Sequence, residues 1–207
     1  ETANIGITAK RIAWGKIINA GQTCVAPDYL YVHQSVKDTL LSTIKKEIEN
    51  FYSNAPEKNQ DYPRIINERH FSRLCKYFDD GTVVYGGNIN PESLQIAPTI
   101  LDNVALDSPV MQDEIFGPIL PVITFENLDE VIKFVTDRPK PLALYFFSSN
   151  KKRQRKILQT LSFGGGCIND TILHLVSPHL PFGGVGNSGM GGYHGRNSFE
   201  TFSHKKS

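Results

Sequence analysis

Cys24 is the residue in this 207-residue chain with the most chemistry open to it. It closes the stretch Ala20-Gly21-Gln22-Thr23-Cys24, between the end of one predicted helix and the start of a strand, among small and turn-forming neighbours. In that setting the thiol need not be packed in a core. A local dipole or donor that favours the thiolate would then make it a strong nucleophile. A lone cysteine serves equally well as a small buried hydrophobe, and residue context alone leaves the two readings even. Cys75, beside Leu74, Tyr77 and Phe78, and Cys167, inside an apolar strand, read as structural. Three cysteines without close spacing exclude a disulfide framework and a CxxC zinc site as readings of the sequence.

The best acidic pair is Asp113-Glu114, set before Ile115-Phe116-Gly117-Pro118. A carboxylate on such a turn can accept from ribose hydroxyls, act as a general base, or be a solvated turn. Gly184-Val185-Gly186-Asn187-Ser188-Gly189 has the form GxGxxG. A phosphate loop needs a strand before it and a helix after it, and neither flank supplies one, so a close-packed glycine loop is expected. The six histidines show no HxxxH spacing and no neighbouring cysteine, so no metal site is expected. The basic run Lys151-Lys152-Arg153-Gln154-Arg155-Lys156 carries no interleaved aromatics and reads as a solvated helix face. Asn169-Asp170-Thr171 matches a glycosylation sequon, discounted because no signal peptide accompanies it.

The elements that must hold these residues alternate. Residues 3–19 are predicted helical, with Ile7, Arg11, Trp14, Ile17 and Ile18 on the periodic stripe, ended by Gly21. Residues 29–33 follow as a strand. Residues 36–52 form a helix with Val36, Leu40, Leu41, Ile44 and Ile48 on one face. Asn67 caps a helix through Phe78. Residues 82–85, 119–125, 142–148 and 167–169 read as strands, 128–136 and 150–161 as helices. Strands alternating with helices imply an α/β fold, a three-layer sandwich around a mostly parallel sheet. Pro178 to Gly195 lacks periodicity and reads as loop.

Composition bounds the rest. Lys and Arg number 22 against 21 Asp and Glu, a near-neutral balance that argues against a nucleic-acid partner. The apolar run Leu142–Phe147 is too short to cross a bilayer. A cytoplasmic globular protein is the expectation.

Four motifs in register then carry a resemblance along essentially the whole chain. They are Gly21-Gln22-Thr23-Cys24-Val25-Ala26-Pro27-Asp28-Tyr29, Glu114-Ile115-Phe116-Gly117-Pro118, Gly165-Gly166-Cys167-Ile168-Asn169-Asp170-Thr171, and Pro181 through Gly191. The chain resembles an aldehyde dehydrogenase. The ending Tyr193-His194-Gly195 with Ser198 through His204 is similar to the class 3 (fatty or aromatic aldehyde) branch.

The resemblance implies that Cys24 is the nucleophile, with its backbone N–H forming half of an oxyanion hole. It implies that Glu114 holds the nicotinamide-ribose hydroxyls of NAD or NADP, and that Phe116 packs near the nicotinamide. Residues 175–182 would line the aldehyde entry tunnel. The family's general base, the asparagine completing the oxyanion hole and the cofactor-binding domain all belong upstream of Glu1. Residues 1–207 are therefore expected to be the catalytic domain alone, its tail from about residue 190 packing outside the core. The full-length enzyme would act on a small-molecule aldehyde as a homodimer, with membrane association left open. The isolated chain would be inactive. Two other readings differ in class: a non-catalytic interaction fragment that keeps the fold, and a cofactor-independent thiol esterase.

Overall fold

The computed structural model describes residues 1–53 and 55–207. They divide into two compact units, one of residues 5–126 and one of residues 1–4 with 127–207.

The first unit opens with α1 (Ile5–Ile17), followed by β1 (Leu30–His33) and α2 (Lys37–Tyr52). Leu40, Ile44 and Ile48, four residues apart, form the buried stripe of α2. The face of α1 that packs on α2 is Ala9, Ile12, Ala13 and Ile17; of the predicted stripe Ile17 lies on it, and the rest is corrected. Ile7 and Arg11 are exposed and Trp14 is half-buried. Large side chains drew the prediction, yet two alanines let the helix axes approach and take the inner face. Helix α3 (Glu68–Lys76) starts where Asn67 Oδ1 accepts from the His70 N–H at 2.9 Å, as its cap residue predicts. It ends two residues earlier than predicted, passing into a short 3₁₀ turn.

Five further strands complete this unit: β2 (Thr82–Tyr85), β3 (Ile89–Asn90), β4 (Gln95–Ile96), β5 (Thr99–Asp102) and β6 (Ile119–Phe125). A four-stranded sheet runs in the order β1-β6-β5-β2. Its β1–β6 and β5–β6 pairings are parallel, with Leu30 opposite Val122 and Thr99 opposite Ile119; β2 pairs antiparallel with β5. Ile119 to Ile123 is buried throughout, the continuous apolar run of a strand covered on both faces. Strands β3, β4 and β5 have no counterpart in the prediction; β3 and β4 form a separate antiparallel pair.

The second unit holds α4 (Leu128–Thr136), β7 (Ala143–Phe146), α5 (Lys151–Thr160), β8 (Gly165–Ile168) and α6 (Gly195–Thr201). Strands β7 and β8 pair in parallel, Ala143 opposite Gly165, as their own two-stranded sheet rather than an extension of the first. Asn127 and Asn150 cap α4 and α5 through their side-chain oxygens. The chain's first residues belong to this unit, because Thr2 hydrogen-bonds Ser148 and Ser149. Two cations of α5 find acidic partners: Arg153 pairs with Glu1 and Lys156 with Asp129. Among the described residues no helix is long and apolar enough to cross a membrane.

Candidate active site

Between α1 and β1 the backbone turns left-handed for three residues running. Asn19, Ala20 and Gly21 have φ of 51°, 50° and 71°. For Asn19 and Ala20 such angles cost about 1–2 kcal/mol each, so the surroundings must enforce them. Gln22 does much of that. Its N–H donates to the Asn19 carbonyl at 3.1 Å, and its Nε2 donates to the Arg64 carbonyl at 3.0 Å. Its Oε1 accepts from the Ile66 N–H at 3.0 Å. Thr23 to Ala26 then forms a tight turn, closed by the Ala26 N–H on the Thr23 carbonyl at 2.9 Å. Cys24 stands exposed on this turn while its neighbour Val25 is fully buried and anchors it. Among the described residues, the Cys24 N–H and thiol meet no hydrogen-bond partner of the protein.

The second motif rides on an adjacent loop. Along Glu114-Ile115-Phe116-Gly117 burial alternates by residue: Glu114 and Phe116 are exposed, Ile115 and Gly117 buried. Phe116 is held at a φ of 49°, which sends its ring outward from the buried Ile115. The two loops touch through their glycines. A Cβ on Gly21 would lie 2.2 Å from the Gly117 carbonyl oxygen, so only glycine permits this approach. They are also tied by a side chain, because Asp28 Oδ1 accepts from the Ile115 N–H at 3.0 Å. Arg73, on α3, donates through Nη2 to the Ile115 carbonyl at 2.6 Å and through Nη1 to the Glu114 carbonyl at 3.3 Å.

Charge accumulates beneath these loops. Lys16 is buried, and desolvation lowers its pKa to about 8 against the pull of Asp28. Burial raises the Asp28 carboxyl, an effect opposed by Lys16, the Ile115 N–H and Arg73. Partial burial also raises Glu114, with Asp28 adding to the shift and Arg73 opposing it.

The expected residues Cys24, Glu114 and Phe116 therefore sit on two contacting loops of one unit. Lys16, Asp28, Arg73 and Gln22 were not singled out by sequence reasoning; Gln22 and Asp28 lie inside the first recognised motif and could have been. The other two thiols are half-buried rather than core residues, a correction to their reading as interior hydrophobes. Burial raises both above the ordinary thiol range. Cys167 also has a histidine neighbour, contrary to the sequence reading. Its Sγ lies 3.8 Å from His174 Nδ1, because the chain turns back after β8. In the same unit, the glycine-rich segment is the close-packed loop expected. A Cβ on Gly184 would lie 2.1 Å from the Ser188 carbonyl oxygen, and a 3₁₀ turn over Gly186–Ser188 replaces any helix start. An open groove of about 440 Å³ lies against Pro181, Gly183, Asn197 and Glu200; Pro181 belongs to the stretch expected to line the aldehyde tunnel, while Cys24, Glu114 and Phe116 are not among its lining residues.

Residues 1–207 match the model of the aldehyde dehydrogenase family. A 4,4'-diaponeurosporen-aldehyde dehydrogenase of Staphylococcus aureus is 52% identical over 209 residues, covering 100% of this chain and 46% of that protein. A mouse aldehyde dehydrogenase described as dimeric and NADP-preferring is 50% identical over 207 residues, again with 100% and 46% covered. Among solved structures, the substrate-bound state of Staphylococcus aureus AldH gives a TM-score of 0.97 at 51% identity, covering 100% of this chain and 45% of that one. The chain thus spans about half the length of these relatives.

Proposed function

Because this chain belongs to the aldehyde dehydrogenase family, we propose that it is the thiol-bearing part of an enzyme that oxidises aldehydes to carboxylic acids with NAD or NADP. The observation that carries this reading is an exposed Cys24, on a turn locked in place from both sides, directly against the loop that presents Glu114 and Phe116. A nucleophile needs reach, and its neighbours must not move.

In the proposed reaction the Cys24 thiolate adds to the aldehyde carbonyl carbon, forming a C–S bond and an oxyanion. The Cys24 N–H, without a protein acceptor, is available to donate to that oxygen. The resulting thiohemiacetal can expel hydride, which a free aldehyde does poorly, leaving a thioester on Cys24. Water then attacks the thioester, and the acid leaves with the thiol regenerated. When bound, the nicotinamide cofactor supplies the hydride acceptor.

The residues present suit that cofactor at its nicotinamide end. Glu114 offers an exposed carboxylate able to accept from two vicinal hydroxyls, and Phe116 an exposed ring beside it. Relatives named as NADP-preferring and dimeric support NADP use and a homodimer for the full-length enzyme. The test is the full-length protein carrying this chain. Cys24→Ala should abolish aldehyde-dependent NAD(P)H formation, and Glu114→Gln should raise the cofactor KM. Unimpaired turnover by Cys24→Ala would dismiss the reading.

A further inference from the structure

We propose that Asp28 and Arg73 are positioning residues that fix the Glu114–Phe116 loop at a set offset from the Cys24 turn. The inference rests on the reading of Cys24 and Glu114 as partners in one reaction.

The loop has little regular structure of its own to hold it. Between the 3₁₀ turn at Pro109–Met111 and the start of β6, the backbone groups of Glu114 and Ile115 are met by side chains from other elements. The Ile115 N–H goes to Asp28, and the Glu114 and Ile115 carbonyls go to Arg73. One peptide unit is thus gripped on both its donor and acceptor sides by two side chains of opposite charge. Asp28 stands four residues from Cys24 on the same short segment, so its grip measures the loop against the thiol's own turn. Arg73 is steadied in turn by the Tyr77 hydroxyl at 2.9 Å and lies over the Tyr77 ring. The glycine contact between Gly21 and Gly117 gives the clamp its stop, since the backbones can come no closer.

A charge-assisted grip of this kind resists small displacements as well as unfolding. Reaction rates between two held groups are steep in position; a shift of about 1 Å can cost on the order of 100-fold. On this account the clamp sets where the cofactor's nicotinamide end meets the carbon bound to Cys24. Neither Asp28 nor Arg73 touches a reacting atom.

The experiment uses the full-length enzyme with three clamp variants: Arg73→Gln, Asp28→Ala, and Asp28→Asn, which keeps an oxygen at the Oδ1 position. We expect Arg73→Gln and Asp28→Ala to raise the cofactor KM at least tenfold. They should also raise the primary deuterium isotope effect measured with C1-deuterated aldehyde, as hydride transfer becomes slower than the other steps. Asp28→Asn should stay within about threefold of the parent on both readouts. The rate of Cys24 alkylation by iodoacetamide should change less than twofold in all three. In the 207-residue chain, amide exchange across residues 112–117 should accelerate at least tenfold in Asp28→Ala.

Wild-type cofactor KM and isotope effect in both Asp28→Ala and Arg73→Gln would overturn the proposal. So would a loss of activity accompanied by faster alkylation of the half-buried Cys75 and Cys167, which marks general unfolding instead of misplacement. If Arg73→Gln does not fold, the contrast between Asp28→Ala and Asp28→Asn decides alone. A Cys24→Ala control separates the two levels: activity there defeats the underlying reading and the clamp with it. Inactivity there with parental clamp variants defeats the clamp only.

Discussion

At Gly21 one missing methyl group lets two loops meet. Its φ of 71° and the 2.2 Å approach to the Gly117 carbonyl oxygen exclude any other residue without movement of both backbones. Gly21→Ala should therefore destabilise the chain by about 2–4 kcal/mol, read as a lower midpoint of urea unfolding. A midpoint unchanged within error would mean the loops part easily. The same scale decides which thiol reacts. Cys24 is exposed, whereas partial burial raises Cys75 and Cys167 and so lowers their thiolate fraction near neutral pH. Sub-stoichiometric iodoacetamide should leave most of its adduct on Cys24. Preferential labelling of either other cysteine would reverse the ranking.

At the scale of elements, α1 delivers Lys16 into the interior and the segment before β1 delivers Asp28 to the same region. With a folded pKa of about 8, lowered from 10.5, Lys16 binds fewer protons folded than unfolded between those two values. Stability from this group is fully present above about pH 10.5 and is lost as pH falls through about 8. Below that, the buried ammonium carries a penalty of up to about 3 kcal/mol. The difference in unfolding free energy between the parent and Lys16→Met should therefore drift in the parent's favour from pH 7.5 to 10. A flat difference would show that Lys16 is hydrated in the folded chain. This pair also marks the limit of what sequence reveals. Helices with a four-residue apolar period or an asparagine cap, α2, α3 and α5, were legible because their signals are local. Strand β5 was not, since Thr99-Ile100-Leu101-Asp102 is short and follows Pro98 in a turn-rich stretch; its identity comes from pairing with β6, about twenty residues on. Most of the stripe of α1 was misplaced for a related reason, because its inner face includes Ala9 and Ala13, which give little hydrophobic signal. Cys24 and Glu114 were visible through their motifs, but Asp28 and Arg73 act across 87 and 42 residues, on backbone groups that no residue pattern encodes.

For the molecule as a whole, the question is which steps these 207 residues can perform alone. Covalent capture of an electrophile needs only the exposed thiol and its turn, both of which lie within the unit of residues 5–126. Hydride transfer needs more. A dinucleotide is bound chiefly through its phosphates and adenosine, commonly at a glycine-rich turn opening a helix. The GxGxxG segment, Gly184 to Gly189, contains a 3₁₀ turn instead of opening a helix, and packs on itself. Glu114 and Phe116 could engage only the nicotinamide end. Deacylation further needs a base within hydrogen-bond reach of the attacking water, and on the proposed reading that base belongs to the other half of the enzyme. Each deficit alone can remove several powers of ten in rate. The 207-residue chain should accordingly give no NADH or NADPH with any aldehyde, while Cys24 still alkylates at a rate near that of the full-length enzyme. Turnover with NAD or NADP by this chain alone would mean that it contains both a base and a phosphate site, and would move the boundary of the catalytic machinery inside residues 1–207.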